Sequence, residues 1–298
     1  MAPPEKTSDA MTVFDRYAVR LHRDRSARNF GEFDFLFRHV GAALIDRLQD
    51  ITRDFPRVLD LGGRDGFLSE LIAGHNGIEN VVRCDLSEAF MHDGGGLRVV
   101  ADEEFVPFGP ESFDLVVSCL DLHWVNDLPG TLVQLRQVLK PDGLFLAAMF
   151  GGNTLSELRA SLIAAETETM GGAGPRVSPF ADVRDAGNLL VRAGFALPVA
   201  DNFEVTVSYA DPLKLMRDLR GMGESNAVRA RQRGFTRRDV LARAAAHYQD
   251  RHADADGRVP ATFEVIMLTA WAPHAAQPKP LARGSGQISL ADVLKEDK

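Results

Sequence analysis

Between residues 55 and 150, short apolar runs alternate with amphipathic stretches, the pattern of parallel strands joined by crossover helices. The runs predict strands over 57–61, 81–84, 98–101, 113–118 and 143–150, with helices after the first, second and fourth. Lys140-Pro141-Asp142-Gly143 reads as a turn that ends one helix and starts the last of these strands. Upstream, residues 12–49 have helical spacing and are expected to pack over one end of the sheet. Downstream the pattern loosens. Gly171-Gly172-Ala173-Gly174-Pro175 is a break, 183–193 ends at Gly194 like a capped helix, and 204–209 alternates like a strand. Residues 213–219 and 237–248 are spaced as helices, and 262–271 reads as a further strand. The expected fold class is α/β, a doubly wound Rossmann-like sheet with a helical cap. The layout is an N-terminal helical cap over 1–50, a core with inserted lid helices over 51–272, and a mobile Pro-, Gly-, Ala- and Ser-rich tail over 273–298.

Composition narrows the function classes. No apolar run approaches the roughly 20 residues that cross a bilayer, so no membrane span is expected. The start, MAPPEKTSDAM, lacks an apolar secretory core and carries acid, so a bacterial-type cytoplasm is the expected site of action. A net charge of −8 over 298 residues argues against nucleic acid as a partner. Arg229, Arg231, Arg233, Arg237, Arg238 and Arg243 form a local basic stretch, read as a solvated helix face or a dock for an acidic protein. Cys84 and Cys119 sit in apolar runs and read as small buried hydrophobes.

The strongest local signal is VLDLGGRDGFLSELI, a strand that enters a glycine turn and then an amphipathic helix. Ligands of doubly wound sheets bind at the carboxyl ends of strands, where glycines clear the approach. The turn Gly62-Gly63-Arg64-Asp65-Gly66 supplies no Gly-x-Gly-x-x-Gly, and Asp60 stands just before it. A carboxylate there repels a pyrophosphate and attracts the ammonium of a methionine moiety, which favours S-adenosylmethionine over a dinucleotide. Asp85, 19 positions after Gly66, can accept from both ribose hydroxyls or cap a helix, a task Ser87 could take instead. Asp102, at the end of the third strand, can accept the adenine amino group. Glu103 and Glu104 could be solvated neighbours, although Glu103, with Leu86 and Leu120, is counted in the expected cofactor set.

The order DLGGRDG, CDLSEAFM, ADEEFVPF, FDLVVSCLDLHWVNDLP, LKPDGLFLAAMFGGNTLSELR resembles the class I S-adenosylmethionine-dependent methyltransferases. GMGESN, DGRVPATFEV and RGSGQISLADV extend the likeness, and they are more specific than the glycine turn. They are most similar to the family of the mitochondrial complex I assembly factor 5 and its bacterial relatives, over about residues 14–293. The LHWVND run is more distantly similar to the malonyl-carrier methyltransferases of biotin synthesis. The resemblance implies a seven-stranded sheet whose final strand is antiparallel, with a cap made from the N-terminal and post-Phe150 segments. It also implies a protein substrate, a complex I subunit modified by arginine hydroxylation. Conventional methyl transfer to a small-molecule or carrier-bound carboxylate and a non-catalytic assembly chaperone are the alternatives. The family pattern has glycine where this chain has Arg64, whose side chain either points away from the ligand or narrows its pocket.

His123 is the candidate general base, or else a histidine packed under the cap. Asp121 either orients it or is exposed, and Trp124 reads as a pocket wall. Gly221 to Asn226 is a candidate functional loop that would bring Glu224 and Asn226 to the substrate pocket, or a plain helix cap and turn. A hydroxylase normally holds iron, but the one His-x-Asp, His252-Ala253-Asp254 with His274 downstream, reads as solvated, so no metal site is assigned.

Overall fold

The structure, a computed structural model, describes residues 12–92 and 95–278. Its strands are β1 (Arg57–Leu61), β2 (Asn80–Asp85), β3 (Leu97–Val100), β4 (Phe113–Cys119), β5 (Leu139–Phe150), β6 (Ala196–Tyr209) and β7 (Val259–Trp271). They form one sheet in the order β3-β2-β1-β4-β5-β7-β6. The first five are parallel, and β7 inserts antiparallel between β5 and β6. The helices are α1 (Arg16–Ser26), α2 (Phe35–Gln49), α3 (Phe67–Ile72), α4 (Glu88–His92), α5 (Leu128–Val138), α6 (Ser156–Met170), α7 (Val183–Arg192), α8 (Pro212–Gly221) and α9 (Arg238–His252).

The central strands are apolar without interruption because both faces are covered. Along β5, Leu144, Leu146, Ala148 and Phe150 face a core shared with α2, α3, α6 and α9, while Phe145, Ala147 and Met149 face a second core under α5 and α7. The same two-residue alternation divides Val265 and Met267 from Ile266 and Leu268 on β7. β1 lies between β2 and β4, where the chain reverses its direction of travel across the sheet. The carboxyl ends of these strands form the crevice in which such sheets bind ligands.

Several boundaries differ from the sequence reading. Lys140-Pro141-Asp142 lies inside β5 rather than before it. Asp142 takes a left-handed φ of 62°, and the pairing with β4 shifts register there, so a turn signal serves as an irregularity in a strand. β6 starts at Ala196, eight residues before the expected strand: Leu197 (φ 49°), Pro198 and a register shift break its alternation at this sheet edge. Helix α6 was not foreseen; its buried residues, Leu158, Ser161, Leu162, Ala165 and Glu166, mix apolar and polar types and write no apolar stripe. The basic stretch is mostly loop before α9: Arg231 and Arg233 pair with Asp15, and Arg243 pairs with Glu168. In the expected tail, Gln277 donates to Asp142 and to the Ala272 carbonyl, while 279–298 lie outside the described residues. No helix among the described residues is long and apolar enough to cross a membrane.

Candidate active site

The turn after β1 is shaped by its own neighbours. Gly62 has φ 71°, and a Cβ there would stand 2.2 Å from Asp121 Cγ; at Gly66, with φ 96°, it would stand 2.4 Å from Arg83 Nη1. These glycines make room for a carboxylate and a guanidinium of the protein itself. Gly63 packs against Asp60. Arg64 between them takes φ 41°, a left-handed conformation costing a non-glycine residue roughly 1 kcal/mol. Its side chain is fully buried, stacks with Cζ 4.3 Å from the Phe37 ring centroid, and donates to the Met222 carbonyl at 3.0 Å and to Glu224 Oε1 at 2.6 Å. The Leu120 carbonyl, from a residue at φ 51°, lies 3.5 Å from the same guanidinium. Arg64 therefore points across the end of the sheet toward the loop after α8.

The acidic residues expected to hold a cofactor converge at the carboxyl ends of β1 to β4, but they hold arginines. Arg23 of α1, wholly buried, donates to Glu103 Oε1 at 2.6 Å, to Asp85 Oδ1 at 3.3 Å and to Asp121. Arg16 holds Asp102, at 2.7 Å, and Glu103. Asp85 also accepts from the backbone N–H groups of Ser87 and Arg64, while Ser87 Oγ accepts from Phe90 N. Ser87 is thus the cap of α4, and Asp85 is free of that task. Glu103 and Glu104 are not solvated neighbours: Glu103 is buried, and Glu104 accepts from the backbone and side-chain nitrogens of Asn126. Leu86 packs against the cluster of Phe14, Val19 and Trp124.

Charge in this cleft is unevenly matched. Burial pushes the Asp121 carboxyl up to about 8; the Arg23 charge opposes the rise, and the Glu103 and Asp85 charges add to it. Burial likewise lifts Asp60 to about 6, against a 2.6 Å hydrogen bond from Ser69 and the charge of Arg83. For Glu103, burial is outweighed by Arg23 and Arg16, which hold it near 2. Asp60 Oδ1 and Asp121 Oδ2 are buried acceptors without a protein partner. Orphan acceptors at strand ends beside a surplus of carboxylates fit a ligand carrying hydroxyl, amino and cationic groups. The donor set suits S-adenosylmethionine in kind, but Arg23 fills the space between Asp85, Glu103 and Asp121. Among the described residues, the groups of His, Cys, Asp or Glu atoms close enough to share an ion are limited to that same trio. His252 instead packs on Tyr248 at 5.5 Å, and Asp254 holds the backbone of Asp256 and Arg258.

Beside this cleft a cavity of about 430 Å³ opens, walled by Trp124, Phe150, Phe180, Leu158 and Phe263, with Glu224 and Asn226 on its surface. Glu224 accepts from Arg64 through Oε1, and through Oε2 from Trp124 Nε1 at 2.8 Å and His123 Nε2 at 3.1 Å. Burial opposes its ionisation, but His123, Arg64 and Arg23 outweigh that and hold it near 2. Burial lowers His123 despite Glu224, so the ring is neutral, donates Nε2–H and leaves Nδ1 as an acceptor without a protein partner. His123 lies behind the wall, 4.7 Å from Phe150 and 5.7 Å from Phe180, between ring centroids. Its orienting carboxylate is Glu224, not Asp121, which is buried on Arg23 instead of being exposed. Asn226 donates to the Pro175 carbonyl at 2.7 Å and accepts from Val228 N, fixing the loop.

Arg16 and Arg23 were missed by the sequence reading. Their spacing of seven places both on the α1 face that buries Val19 and Ser26, and a polar residue on a buried helix face was the available signal.

Residues 59–147 match the methyltransferase domain family. The chain is 44% identical over 295 residues to a zebrafish (Danio rerio) protein named arginine-hydroxylase NDUFAF5, mitochondrial, covering 97% of this chain and 91% of that one. The human protein of the same name is 42% identical, with 99% and 87% covered. A malonyl-[acyl-carrier protein] O-methyltransferase of Halorhodospira halophila is 38% identical, with 88% and 90% covered. Among solved structures, a Haemonchus contortus phosphoethanolamine N-methyltransferase 2 in complex with S-adenosyl-L-methionine superposes with a TM-score of 0.53 at 18% identity, covering 92% of this chain and 62% of that one. A putative methyltransferase from Bacillus halodurans gives 0.54 at 18%, with 78% and 99% covered, and both share the fold.

Proposed function

Because the chain belongs to the class I methyltransferase family that includes arginine-hydroxylase NDUFAF5, we propose that it is an S-adenosylmethionine-binding enzyme that hydroxylates an arginine of a complex I subunit during assembly. The observation that carries the reading is Glu224, an ionised carboxylate on the surface of the cavity. It takes three hydrogen bonds, and a carboxylate offers about four acceptor positions. One position on Oε1 remains for an incoming guanidinium, while Phe150, Leu158 and Phe263 suit the methylene stem. The cavity's own cations do not compete, since Arg176 is paired with Glu166 and Arg231 with Asp15. That pairing also weakens the methyl-transfer alternative, which needs a free cation for a substrate carboxylate.

Asp85, Asp102 and Glu103 would hold the ribose and adenine of the cofactor, and Asp60 its ammonium, with Gly62, Gly63, Gly66, Leu86 and Leu120 around them. When bound, S-adenosylmethionine supplies a cationic sulfonium with a transferable methyl group. His123 orients Glu224 from behind the wall. Trp124 and the phenylalanine wall exclude water. Hydroxylation inserts one oxygen atom, so dioxygen with two electrons and two protons from the cell must balance it, the second oxygen leaving as water. We place the reaction in the cytoplasm, where the free, buried Cys84 and Cys119 stay reduced.

Mass spectrometry of complex I subunits from a strain lacking the gene is the test. Loss of a 16 Da increment on one arginine supports the reading. Loss of a 14 Da increment supports methyl transfer, and no change at all supports an assembly chaperone; either outcome overturns hydroxylation.

A further inference from the structure

We propose that Arg23 is an intramolecular counter-ion that closes the cofactor cleft, so that S-adenosylmethionine enters only as Arg23 leaves the carboxylates of Asp85, Glu103 and Asp121 and α1 lifts from the sheet. The inference rests on the reading that this cleft is the cofactor's. Asp85, Glu103 and Asp121 are 0% exposed and Asp60 1%, so none is reachable while Arg23 is in place. Arg23 lies among the three carboxyl groups as the cation they share.

What holds α1 down is chiefly polar. Its buried residues are Ala18, Val19, Arg23 and Ser26, two small apolar side chains and two polar ones. Its other ties include Arg16 to Asp102, Glu103 and the Trp124 carbonyl, Asp24 to Ser87 Oγ at 2.6 Å, and His22 Nδ1 to the Ser225 carbonyl at 3.1 Å. A lid seated on a large apolar face would resist a polar ligand, whereas one seated on polar contacts can be exchanged for a ligand that satisfies the same carboxyl groups. The ribose hydroxyls and the adenine amino group of S-adenosylmethionine are such donors.

The arginine cage is also incompletely satisfied. Arg23 Nε and Asp121 Oδ2 are both buried without a partner, unlike a permanent structural pair whose groups are all bonded. Both flanks stay tethered during the exchange. Phe14 packs edge-on against Trp124 at 5.4 Å, and Phe30 against Phe37 at 5.2 Å. The segment between them can lift without detaching. An internal competitor multiplies ligand affinity by the fraction of open molecules, so a cleft open about a tenth of the time binds about tenfold more weakly.

Hydrogen exchange on the full chain, with and without saturating S-adenosylmethionine, together with titration calorimetry of the wild type and Arg23→Gln, decides the matter. The expected results are faster exchange of the 16–26 amides in the bound protein and at least about tenfold tighter binding by Arg23→Gln. Wild-type binding with unchanged or slower α1 exchange, or a folded Arg23→Gln that binds no more tightly, overturns the gate and leaves the cofactor reading standing. Binding by neither protein overturns both. If Arg23→Gln does not fold, the exchange experiment on the wild type decides alone.

Discussion

Arg64 makes the turn after β1 a strut between the sheet and the loop after α8. It neutralises Glu224, which is otherwise a buried anion beside a neutral histidine. Arg64→Ala removes one partner of a buried pair and is expected to cost about 3 kcal/mol in urea unfolding, while Arg64→Lys retains part of that. Gly62→Ala puts a Cβ against Asp121 in a left-handed conformation and should cost about 2–3 kcal/mol, measured the same way. Asp121 gives a pH signature. Its folded pKa, near 8, lies above its unfolded value, so the folded state holds the extra proton and stability falls as pH rises from about 4 to 8. The fall between pH 5.5 and 8.5 is expected to be smaller in Asp121→Asn than in the wild type; an equal fall would show that Asp121 is not the titrating group. From sequence, Asp60, Asp85 and Asp102 could be placed at strand ends because each follows an apolar run. Their partners could not, since Arg16 and Arg23 arrive from a helix that local pattern does not connect to the sheet.

Elements were legible where one physical requirement dominates. β1, β4 and the later part of β5 are buried on both faces and write continuous apolar runs. Helix α7 shows its N-cap Asp182 and ends just before Gly194, which has a φ of 82°. Helix α8 likewise starts at Asp211, whose side chain accepts from Lys214 N at 2.8 Å. Asp211→Ala is expected to cost about 1 kcal/mol in thermal or urea unfolding without moving the helix. The loop that carries Glu224 follows this helix, so the same variant should leave cavity chemistry intact. Where two requirements compete, the pattern blurs: edge strand β6 is half exposed and kinked at Pro198, and α6 buries polar Ser161 and Glu166 beside leucines.

For the whole molecule, topology brings together what the sequence separates. The order β3-β2-β1-β4-β5-β7-β6 sets Asp60, Asp85, Asp102 and Asp121 around one crevice. The helices after β5 and their loops add the cavity and Glu224 beside it. The likeness to NDUFAF5 spans 97% of the chain, so it takes in the cleft and the cavity as well as the glycine turn. In the proposed function, this assembled site oxidises a substrate arginine. The direct measurement is mass spectrometry of complex I subunits from the deletion strain complemented with either the wild-type gene or Glu224→Gln at equal protein levels. The 16 Da arginine increment is expected to be restored by the wild type and reduced at least about tenfold with Glu224→Gln, because a charge-assisted hydrogen bond to substrate is lost. Full restoration by Glu224→Gln, or no increment with the wild type, would contradict it.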